Sequence, residues 1–476
     1  MKRFRQICAV AVAIGSAGSA TTPLARAQQA PASQTNSGTG IGPSNQLSVP
    51  HFEDSTVTLP STEHLFGDWG GVRSSLLDRG IDVGIDNTNE FAGNVTGGTK
   101  KNATNAGQAG LEVDIDWQKL AGVSGFSTHV VIVGRYGASA SNGFGDTLSP
   151  VQEIYGSGGN VFAKLVYAYG EERLFDNHLD VAFGRMPVGG DFAASPLNCT
   201  FMNNIMCGNP KVLVGNVAGF SAWPSSTWGI RARYRPIESI YVEAGVYEVS
   251  RAVYGNAAGY RSNWTINTDR DAGGEFPVEI GWEPHFGRGK LPGHYRLGMA
   301  WDTSAYPVWG ADILNGAVDI TKQPQKYQRT NDQFWALMDQ MMVRNGPGAN
   351  DGLIFLAGYI HDNADVLARS DQAYAGLYDK DFWRRRPNDI IGFLYTHQTM
   401  SGRLSGDQAL EMEQGLTLAN GATGVQRFQD LLELNYTIHL VNGITFEPDV
   451  QYVFKPNAQA NIPDAAVFGF RSHISF

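Results

Sequence analysis

The last residues of the chain alternate between apolar and polar side chains. They read FGFRSHISF, residues 468–476. Four apolar residues fall on one side of an extended chain: Phe468, Phe470, Ile474 and Phe476. Four others fall on the opposite side: Gly469, Arg471, His473 and Ser475. Because side chains alternate between the two faces of a strand, this segment is predicted to be a strand with one apolar face. Such a strand fits a soluble sheet over a core and equally a membrane barrel facing lipid.

The same period of two recurs along the chain from Ile81. It is present in GIDVGIDNTNEF, GLEVDIDWQKL, WGIRARYRP, HYRLGMAWDTS, LLELNYTIHL and GITFEPDVQYVF. LVYAYGEERLFDNHLDVAFGRM predicts two strands around the turn pair Asp176 and Asn177. One segment is ambiguous: NDQFWALMDQMMV, residues 331–343, has apolar residues at both helical and strand spacing.

The number of strands favours a closed barrel. At roughly 25 to 28 residues per strand and loop, residues 81–476 hold about 14 to 16 strands. A soluble sandwich of that size would form several domains, and no linker follows residue 60. In lipid the last strand must pair with the first, because an open edge would leave backbone groups without hydrogen bonds. We therefore predict an all-β fold, a closed transmembrane antiparallel barrel of about 14 to 16 strands.

The N-terminal region predicts export. Residues 1–27 combine a basic start, a short apolar stretch and Ala25-Arg26-Ala27 as a cleavage site, as secretory signal peptides do. Residues 28–60 are rich in Gln, Ser, Thr, Gly, Pro and Asn and are predicted to be a flexible tail. Residues 61–80 carry apolar residues at helical spacing before Gly80, which predicts a short amphipathic helix ahead of the barrel.

Charge and cysteine content narrow the function. Removal of residues 1–27 takes four basic residues and changes the formal net charge from −10 to −14. An acidic export product lacks the positive surface that nucleic-acid binding requires. Cys8 leaves with the signal peptide, and Cys199 and Cys207 remain. In an oxidising compartment this pair favours one disulfide that closes a short loop, with two unpaired thiols as the alternative.

Several long segments resemble the carbohydrate-selective porins of the OprB type. They are LFGDWGGVRSSLLDRGI, NTNEFAGNVTGG, FGRMPVGGDFAASPLNCTFMNNIMCGNP, FPVEIGWEPHFGRGKLPGHYRLGMAWDTS and LLELNYTIHLVNGITFEPDVQYVFKPN. The resemblance runs in order from Leu65 to Phe476 and says nothing about the tail before residue 60. It implies a single barrel of about 16 strands in a Gram-negative outer membrane and passive uptake of sugars, glucose-like monosaccharides first. It also implies a loop disulfide between Cys199 and Cys207 and a barrel strand at DQMMVR.

Sugar selection in such a pore needs hydrogen-bonding groups in the lumen and only weak binding. We expect charged side chains on the polar strand faces to line the pore: Glu90, Glu112, Asp114, Arg135, Arg185, Arg231, Arg233 and Arg296. Glu90 and Arg135 are the first candidates because they lie in or beside the segments that carry the resemblance. The alternative for each is a polar wall that is merely wet. Trp223 and Trp383 are candidates for stacking on sugar rings, and girdle or loop positions are the alternative.

Other functions have less support in the sequence. The zinc-protease, nucleophile-elbow, P-loop and C-x-x-C motifs are absent from the sequence. The carboxylates of Glu112, Asp114 and Asp116 keep an outer-membrane hydrolase open as an alternative, beside a general porin and a soluble polysaccharide-binding protein. His361 lies near carboxylates, but a surface loop explains it better than a metal site. We expect no enzyme activity, cofactor, metal or nucleic-acid partner; the expected partners are sugars and outer-membrane lipid. The sequence leaves monomer and homotrimer open.

Overall fold

The computed structural model describes residues 64–155, 160–216, 219–250, 264, 271–288 and 290–476. The predicted signal peptide and low-complexity tail, residues 1–60, lie outside these ranges. The strands are β1 (Ile81–Thr96), β2 (Ala103–Asp116), β3 (Phe126–Gly137), β4 (Val161–Leu174), β5 (Leu179–Met186), β6 (Thr227–Ile237), β7 (Ile240–Ser250), β8 (Asp271–Trp282), β9 (His285–Phe286), β10 (Leu291–Asp312), β11 (Gln325–Arg344), β12 (Gly352–Asp362), β13 (Arg369–Lys380), β14 (Ile390–Met400), β15 (Phe428–Val441), β16 (Ile444–Phe454) and β17 (Ala465–Ser475).

Sixteen long strands form one closed antiparallel barrel. Each pairs with its neighbours in sequence, except that β8 pairs directly with β10, and the two-residue strand β9 lies in the connection between them and pairs with the start of β10. The barrel closes where β1 pairs with both β2 and β17, with Glu90 opposite Arg471 and Phe91 opposite Phe470. The predicted fold class is therefore confirmed, and the alternating C-terminal segment is the strand that closes the barrel.

The two faces of the strands differ as the alternation predicts. On β1, Phe91 points outward and is exposed, whereas Glu90 is buried on the inner face. On β17, Phe468 is exposed on the outer face and Arg471 is buried on the inner one. An apolar outer wall suits a hydrocarbon environment because it leaves no polar side chain without a partner in lipid.

The ambiguous segment at residues 331–343 lies within β11. Its inward residues Trp335, Leu337 and Met341 are buried against protein, and its outward residue Phe334 is exposed on the barrel wall. Both faces are apolar because protein covers the inner one, which explains why periodicity alone did not separate helix from strand.

Short helices occur in the segments between strands and before β1. They are α1 (Val72–Asp78), α2 (Trp117–Ala121), α3 (Ser141–Phe144), α4 (Lys211–Asn216), α5 (Val318–Thr321) and α6 (Gly402–Glu413), and a 3-10 turn at Trp69–Gly71 precedes α1. None of the helices in the described ranges has the length and apolar character needed to cross a membrane. Gly80, between α1 and β1, has φ +85°, and a Cβ there would lie 2.6 Å from the carbonyl oxygen of Asp116, so this turn requires glycine.

The connections differ at the two ends of the barrel. At one end the chain turns within residues 175–178, 238–239 and 442–443. At the other end long loops follow β3 and β5. We call residues 138–160 the bracing loop and residues 187–226 the crossing loop.

The segment before β1 is attached to the end of β17. The Leu65 amide donates to the Ser475 carbonyl oxygen at 2.8 Å, and Arg73 Nη2 donates to the Phe476 carbonyl oxygen at 2.6 Å. The rings of Phe66 and Phe476 lie 5.7 Å apart. These contacts cover the seam between first and last strands at the short-turn end.

Candidate functional site

The crossing loop leaves the wall after β5 and is bound to strands far around the barrel. The Ala193 amide donates to Glu279 of β8 at 3.0 Å. The Val212 amide donates to Gln372 of β13 at 3.1 Å. Arg471 of β17 donates to the carbonyl oxygen of Cys199 at 2.9 Å. A segment tied to the inner faces of strands this widely separated runs through the lumen and narrows it.

The crossing loop also buries an apolar surface. Its apolar side chains pack in one cluster with inward residues of the wall; the loop members include Leu197, Phe201, Ile205, Val212, Leu213 and Phe220. Trp335 of β11 lies 5.8 Å from the ring of Phe220 in an edge-to-face arrangement. Burial of these side chains stabilises the loop inside the barrel by the hydrophobic effect.

A disulfide joins Cys199 and Cys207 within the crossing loop. It closes a loop of eight positions in the segment that Arg471 and Asn435 hold by hydrogen bonds to the carbonyl oxygens of Cys199 and Thr200. The covalent link therefore restricts the part of the loop that lies against β15 and β17.

The bracing loop covers Glu90 and Arg135, the two first candidates. The Ile154 amide donates to Glu90 Oε2 at 3.1 Å, and Arg135 Nη2 lies 3.8 Å from Glu153 Oε1. Both side chains are buried, with exposed fractions of 0% for Glu90 and 3% for Arg135. They face the lumen side of the wall, but their contacts hold the bracing loop.

The two loops meet at a group of opposite charges. Glu153 of the bracing loop interacts electrostatically with Arg135, Arg471 and Lys211 of α4. Burial, together with the nearby Arg369 guanidinium, lowers the pKa of Lys211 to about 7. Burial raises the pKa of Glu153, while the Arg135 guanidinium opposes that rise. The charge carried by this group therefore changes near neutral pH.

A ladder of arginines lies on the inner face of β6. Arg231 Nη1 lies 2.5 Å from Asp180 Oδ1, and Arg233 Nε donates to Glu243 at 2.6 Å. Asp191 of the crossing loop bridges the two, at 3.1 Å from Arg231 Nε and 3.5 Å from Arg233 Nη2. The structure thus places both predicted arginines inside the barrel, each with acidic partners.

Arg296 of β10 continues the basic surface. Its Nη1 donates to Asp339 of β11 at 3.0 Å. His294 Nδ1 contacts the other oxygen of the same carboxylate, and the Ser195 hydroxyl of the crossing loop donates to Asp339 at 3.3 Å. Asp339 therefore links the basic wall to the loop.

An acidic strip lies on the inner faces of β1 and β2. The charges of Asp82, Asp86 and Asp114 act on Glu112, which is buried. Asp114 Oδ1 lies 2.6 Å from His129 Nδ1, and 18% of the Asp114 side chain is exposed. Asp114 therefore offers a partly accessible carboxylate beside the lumen.

Aromatic rings lie between the acidic strip and the crossing loop. Tyr169 stacks on His129 with 4.6 Å between centroids, and Tyr167 lies 5.7 Å from Tyr169. Trp223 of the crossing loop lies 6.2 Å from Tyr167, and its Nε1 donates to Gln108 of β2 at 3.2 Å. Trp223 is thus inside the barrel, whereas Trp383 is exposed in the short connection after β13.

Arg185 differs from the sequence-based expectation. It is paired in register with Trp228, whose side chain is exposed on the outer face of β6. Its guanidinium carbon lies 5.8 Å from the Trp228 ring, and Glu248, outward on β7, interacts with it electrostatically. Arg185 therefore lies on the outer side of β5, where its side chain is buried and its Nη2 donates to the Ser226 carbonyl oxygen of the crossing loop at 3.0 Å. Alternation alone did not show that a loop residue takes up this guanidinium.

Several residues that build this site were missed in the sequence. Asp191, Glu153 and Lys211 lie in loops, where no periodicity shows which way a side chain points. The cysteine pair Cys199 and Cys207 was the feature of the crossing loop that the sequence had already singled out.

In the part of the chain that the structure describes, one group of three carboxylates is close enough together to hold a metal ion. Asp319, Asp407 and Glu411 of α5 and α6 have carboxylate oxygens within 4.8 Å of one another, an arrangement also common on surfaces without a metal. His361 lies on the exposed outer face of β12 with its Nδ1 2.8 Å from Asp371 Oδ1. That position is on a strand and not in the surface loop that the sequence suggested.

Comparison with known proteins agrees with this architecture. Residues 100–476 match the family described as carbohydrate-selective porin, OprB family. Porin B of Pseudomonas aeruginosa is 28% identical over 438 residues, which cover 88% of this chain and 92% of Porin B. A high-pH structure of OprB from Pseudomonas putida is 27% identical, with a TM-score of 0.80, and the match covers 90% of this chain and 100% of that one.

The family match spans most of the chain, and the barrel with its lumen-crossing loop fits it. These matches also identify a transport channel. This chain belongs to the carbohydrate-selective porin, OprB family, and is a sugar porin of the Gram-negative outer membrane.

Proposed function

We propose that glucose-like monosaccharides diffuse through a charged constriction that the crossing loop forms with the wall, and that they bind there only weakly. The observation that carries the proposal is the crossing loop itself, which is hydrogen-bonded to β8, β13 and β17 across the lumen. A loop fixed in this way sets the width of the passage. Small sugars are therefore expected to enter faster than larger ones.

Paired charges suit an uncharged, hydroxyl-rich solute. Arg231, Arg233 and Arg296 each have acidic partners, so the wall has a small net field, and Arg233 and Arg296 keep a small exposed part that can donate to a solute. Hydroxyl groups exchange readily with water at such sites, because each can both donate and accept. An ion is attracted less strongly to a wall whose charges are already balanced.

The accessible carboxylate of Asp114 is the group we propose to contact sugar hydroxyls. It lies beside the rings of His129 and Tyr169, so a sugar there would meet an acceptor and an aromatic surface together. Contact with one partly exposed carboxylate is weak, as passage requires, since a tight site would stop release.

Glu90 and Arg135 are proposed to act as positioning residues. Their contacts with Ile154 and Glu153 hold the bracing loop, and their burial keeps them from direct contact with a solute. Neutralising either one is expected to change sugar entry through the position of that loop.

Liposome swelling tests the proposal. The refolded protein would be compared for glucose, a disaccharide and an uncharged polyether of similar size to glucose. We expect fast glucose entry, slower disaccharide entry and slower polyether entry. Asp114→Asn is expected to reduce the preference for glucose over the polyether, while Asp332→Asn, on the outer face of β11, leaves it unchanged.

Other outcomes point to the other candidates. Equal entry of all small solutes would indicate a general porin, and no swelling by a folded barrel would reopen an outer-membrane hydrolase. Cleavage after Ala27 and assembly as a homotrimer in outer-membrane lipid stay predictions. N-terminal sequencing of the exported protein and its mass in detergent would test them.

A further inference from the structure

Three polar side chains stand next to one another on the inner wall, away from the acidic strip and the arginine ladder. They are Glu275 on β8, Asp302 on β10 and Asn331 on β11. The register pairs Glu275 with Asp302 and Asp302 with Asn331, so all three point inward on adjacent strands. Each has an exposed fraction of 0%.

Two of these side chains converge under the crossing loop at Gly219. A Cβ at Gly219 would lie 2.3 Å from Glu275 Oε2 and 2.9 Å from Asp302 Oδ2. The two carboxylates, from different strands, therefore face the same point. The loop continues from there to Phe220, whose ring packs on Trp335.

The hydrogen bonds in this group leave several atoms without a protein partner. Asp302 accepts from the Ser304 amide at 2.7 Å and from the Tyr306 hydroxyl. Within the described part of the chain, neither oxygen of Glu275 accepts a hydrogen bond, and neither side-chain atom of Asn331 has a partner. Buried polar groups without partners are rare in proteins and indicate a role that remains to be filled.

The charge of the group is negative and uncompensated at Glu275. The charges that act on its carboxylate are those of Asp302 and Asp362, and both are acidic. Within the described ranges, Arg369 interacts electrostatically with Asp362, and also with Asp146. Two adjacent buried carboxylates are strongly unfavourable unless a counter-charge lies between them.

We propose that Glu275, Asp302 and Asn331 bind a divalent cation of the calcium type beneath the crossing loop. Calcium takes six to eight oxygen ligands in flexible geometry, from carboxylates and side-chain amides. Gln333 Oε1 and Ser304 Oγ are also buried and have no hydrogen-bond partner in the described chain, and they lie two residues along from Asn331 and Asp302, one on either side of that pair, as further candidate oxygens. The bound cation neutralises the two carboxylates and fixes the wall against which the loop segment at Gly219 packs.

Calcium titration of protein refolded from inclusion bodies, treated with chelator and free of outer-membrane lipid, tests this site. We expect calcium chloride to bind by calorimetry and to raise the temperature at which the folded barrel loses its fast electrophoretic mobility. Glu275→Gln is expected to weaken binding at least 10-fold and to abolish the thermal shift. Asn331→Leu, which removes an oxygen ligand at similar volume, is expected to weaken binding in the same direction.

Two control variants separate this site from other acidic surfaces. Asp332→Asn removes a carboxylate from the position next to Asn331 but on the outer face, and it should bind calcium as the unmodified protein does. Asp407→Asn breaks the group of Asp319, Asp407 and Glu411 and should also bind normally.

Three results would overturn the proposal. One is the absence of calcium binding to the unmodified protein. Another is binding that survives in folded Glu275→Gln and disappears in Asp407→Asn. The third is a chelator-treated protein whose stability falls as the pH rises and does not change when calcium is added. That result would show that Glu275 and Asp302 share a proton and do not bind a cation.

Discussion

The carboxylate of Asp191 lies 3.1 Å from Nε of Arg231 and 3.5 Å from Nη2 of Arg233, so one residue of the crossing loop contacts two arginines of β6. Arg231 and Arg233 also keep wall partners of their own, Asp180 and Glu243. Asp191 is therefore the point at which the crossing loop is coupled to the basic surface of the lumen.

Asp191→Asn is expected to make the pore more anion-selective. The substitution leaves the positive charge of Arg231 and Arg233 less balanced and weakens the attachment of the loop. Loss of the charge-assisted contact of Asp191 costs about 1–3 kcal/mol of stability, because Arg231 keeps Asp180 as a second acidic partner. Reversal potentials measured across a planar bilayer in a salt gradient report the ion selectivity. The temperature at which the folded barrel loses its fast electrophoretic mobility reports the stability.

Asp78→Asn is the control for that substitution. Asp78 ends α1 outside the barrel and is exposed, so its neutralisation should change neither quantity. Unchanged selectivity and stability in Asp191→Asn would contradict the coupling of loop and ladder described here.

The sequence was sufficient for the barrel and insufficient for its interior. Alternation predicted the apolar outer wall because every strand of the barrel has one face in contact with lipid, and that face must be apolar. The lumen does not impose one rule: Arg231 is buried among carboxylates, whereas Leu337 and Ile354 pack in the apolar cluster with the crossing loop. Which inward positions are wet depends on a loop whose path has no periodic signal. For the same reason Glu90 and Arg135 were predicted on the correct face, but their burial under the bracing loop was not.

Removal of the disulfide is expected to loosen the crossing loop without opening the barrel. Restricting a loop of this length contributes about 2–3 kcal/mol in the chain-entropy account. In the Cys199→Ser, Cys207→Ser double variant, the hydrogen bond from Arg471 to residue 199 still holds the loop to β17. We therefore expect noisier single-channel current and a weaker preference for glucose, with strand content by circular dichroism unchanged.

Reduction of the native protein provides a second measurement of the disulfide's role. Dithiothreitol should reproduce the noise in the unmodified protein and have no effect on the double variant. Identical traces with and without the disulfide would mean that packing alone fixes the loop.

Ion selectivity is expected to change with pH through Lys211. Its pKa is lowered to about 7, so the side chain is charged below that pH and neutral above it. As the pH falls from 8.5 to 6.5, the reversal potential should shift toward anion preference. Lys211→Gln should lose this part of the shift, whereas Lys119→Gln, exposed in α2, should keep it.

The same titration affects stability with a defined sign. The folded chain holds the Lys211 proton less tightly than the unfolded chain, because burial disfavours the charge. The stability from Lys211 is therefore present at high pH and is lost as the pH falls through about 7. Burial raises the pKa of Asp146 to about 6, so its contribution runs the other way and is lost as the pH rises through that value. The difference in thermal transition between Lys211→Gln and the unmodified protein, measured from pH 6.5 to 8.5, reports the contribution of Lys211 alone. A difference that stays constant over this range would contradict titration of Lys211.

The attachment of the N-terminal segment to the last strand is expected to stabilise the barrel without affecting transport. Arg73 donates to the carbonyl oxygens of Phe476 and Val83 at 2.6 and 3.0 Å and so bridges β17 and β1 at the seam. Arg73→Leu removes both bonds and should lower stability by about 1–3 kcal/mol. The temperature at which the folded barrel loses its fast electrophoretic mobility should fall, and liposome swelling in glucose below that temperature should be unchanged.

Arg79→Leu removes a charge from the exposed end of the same helix and is expected to leave the transition temperature unchanged. An equal effect of the two substitutions would mean that helix charge, and not the bridge across the seam, stabilises this end of the barrel.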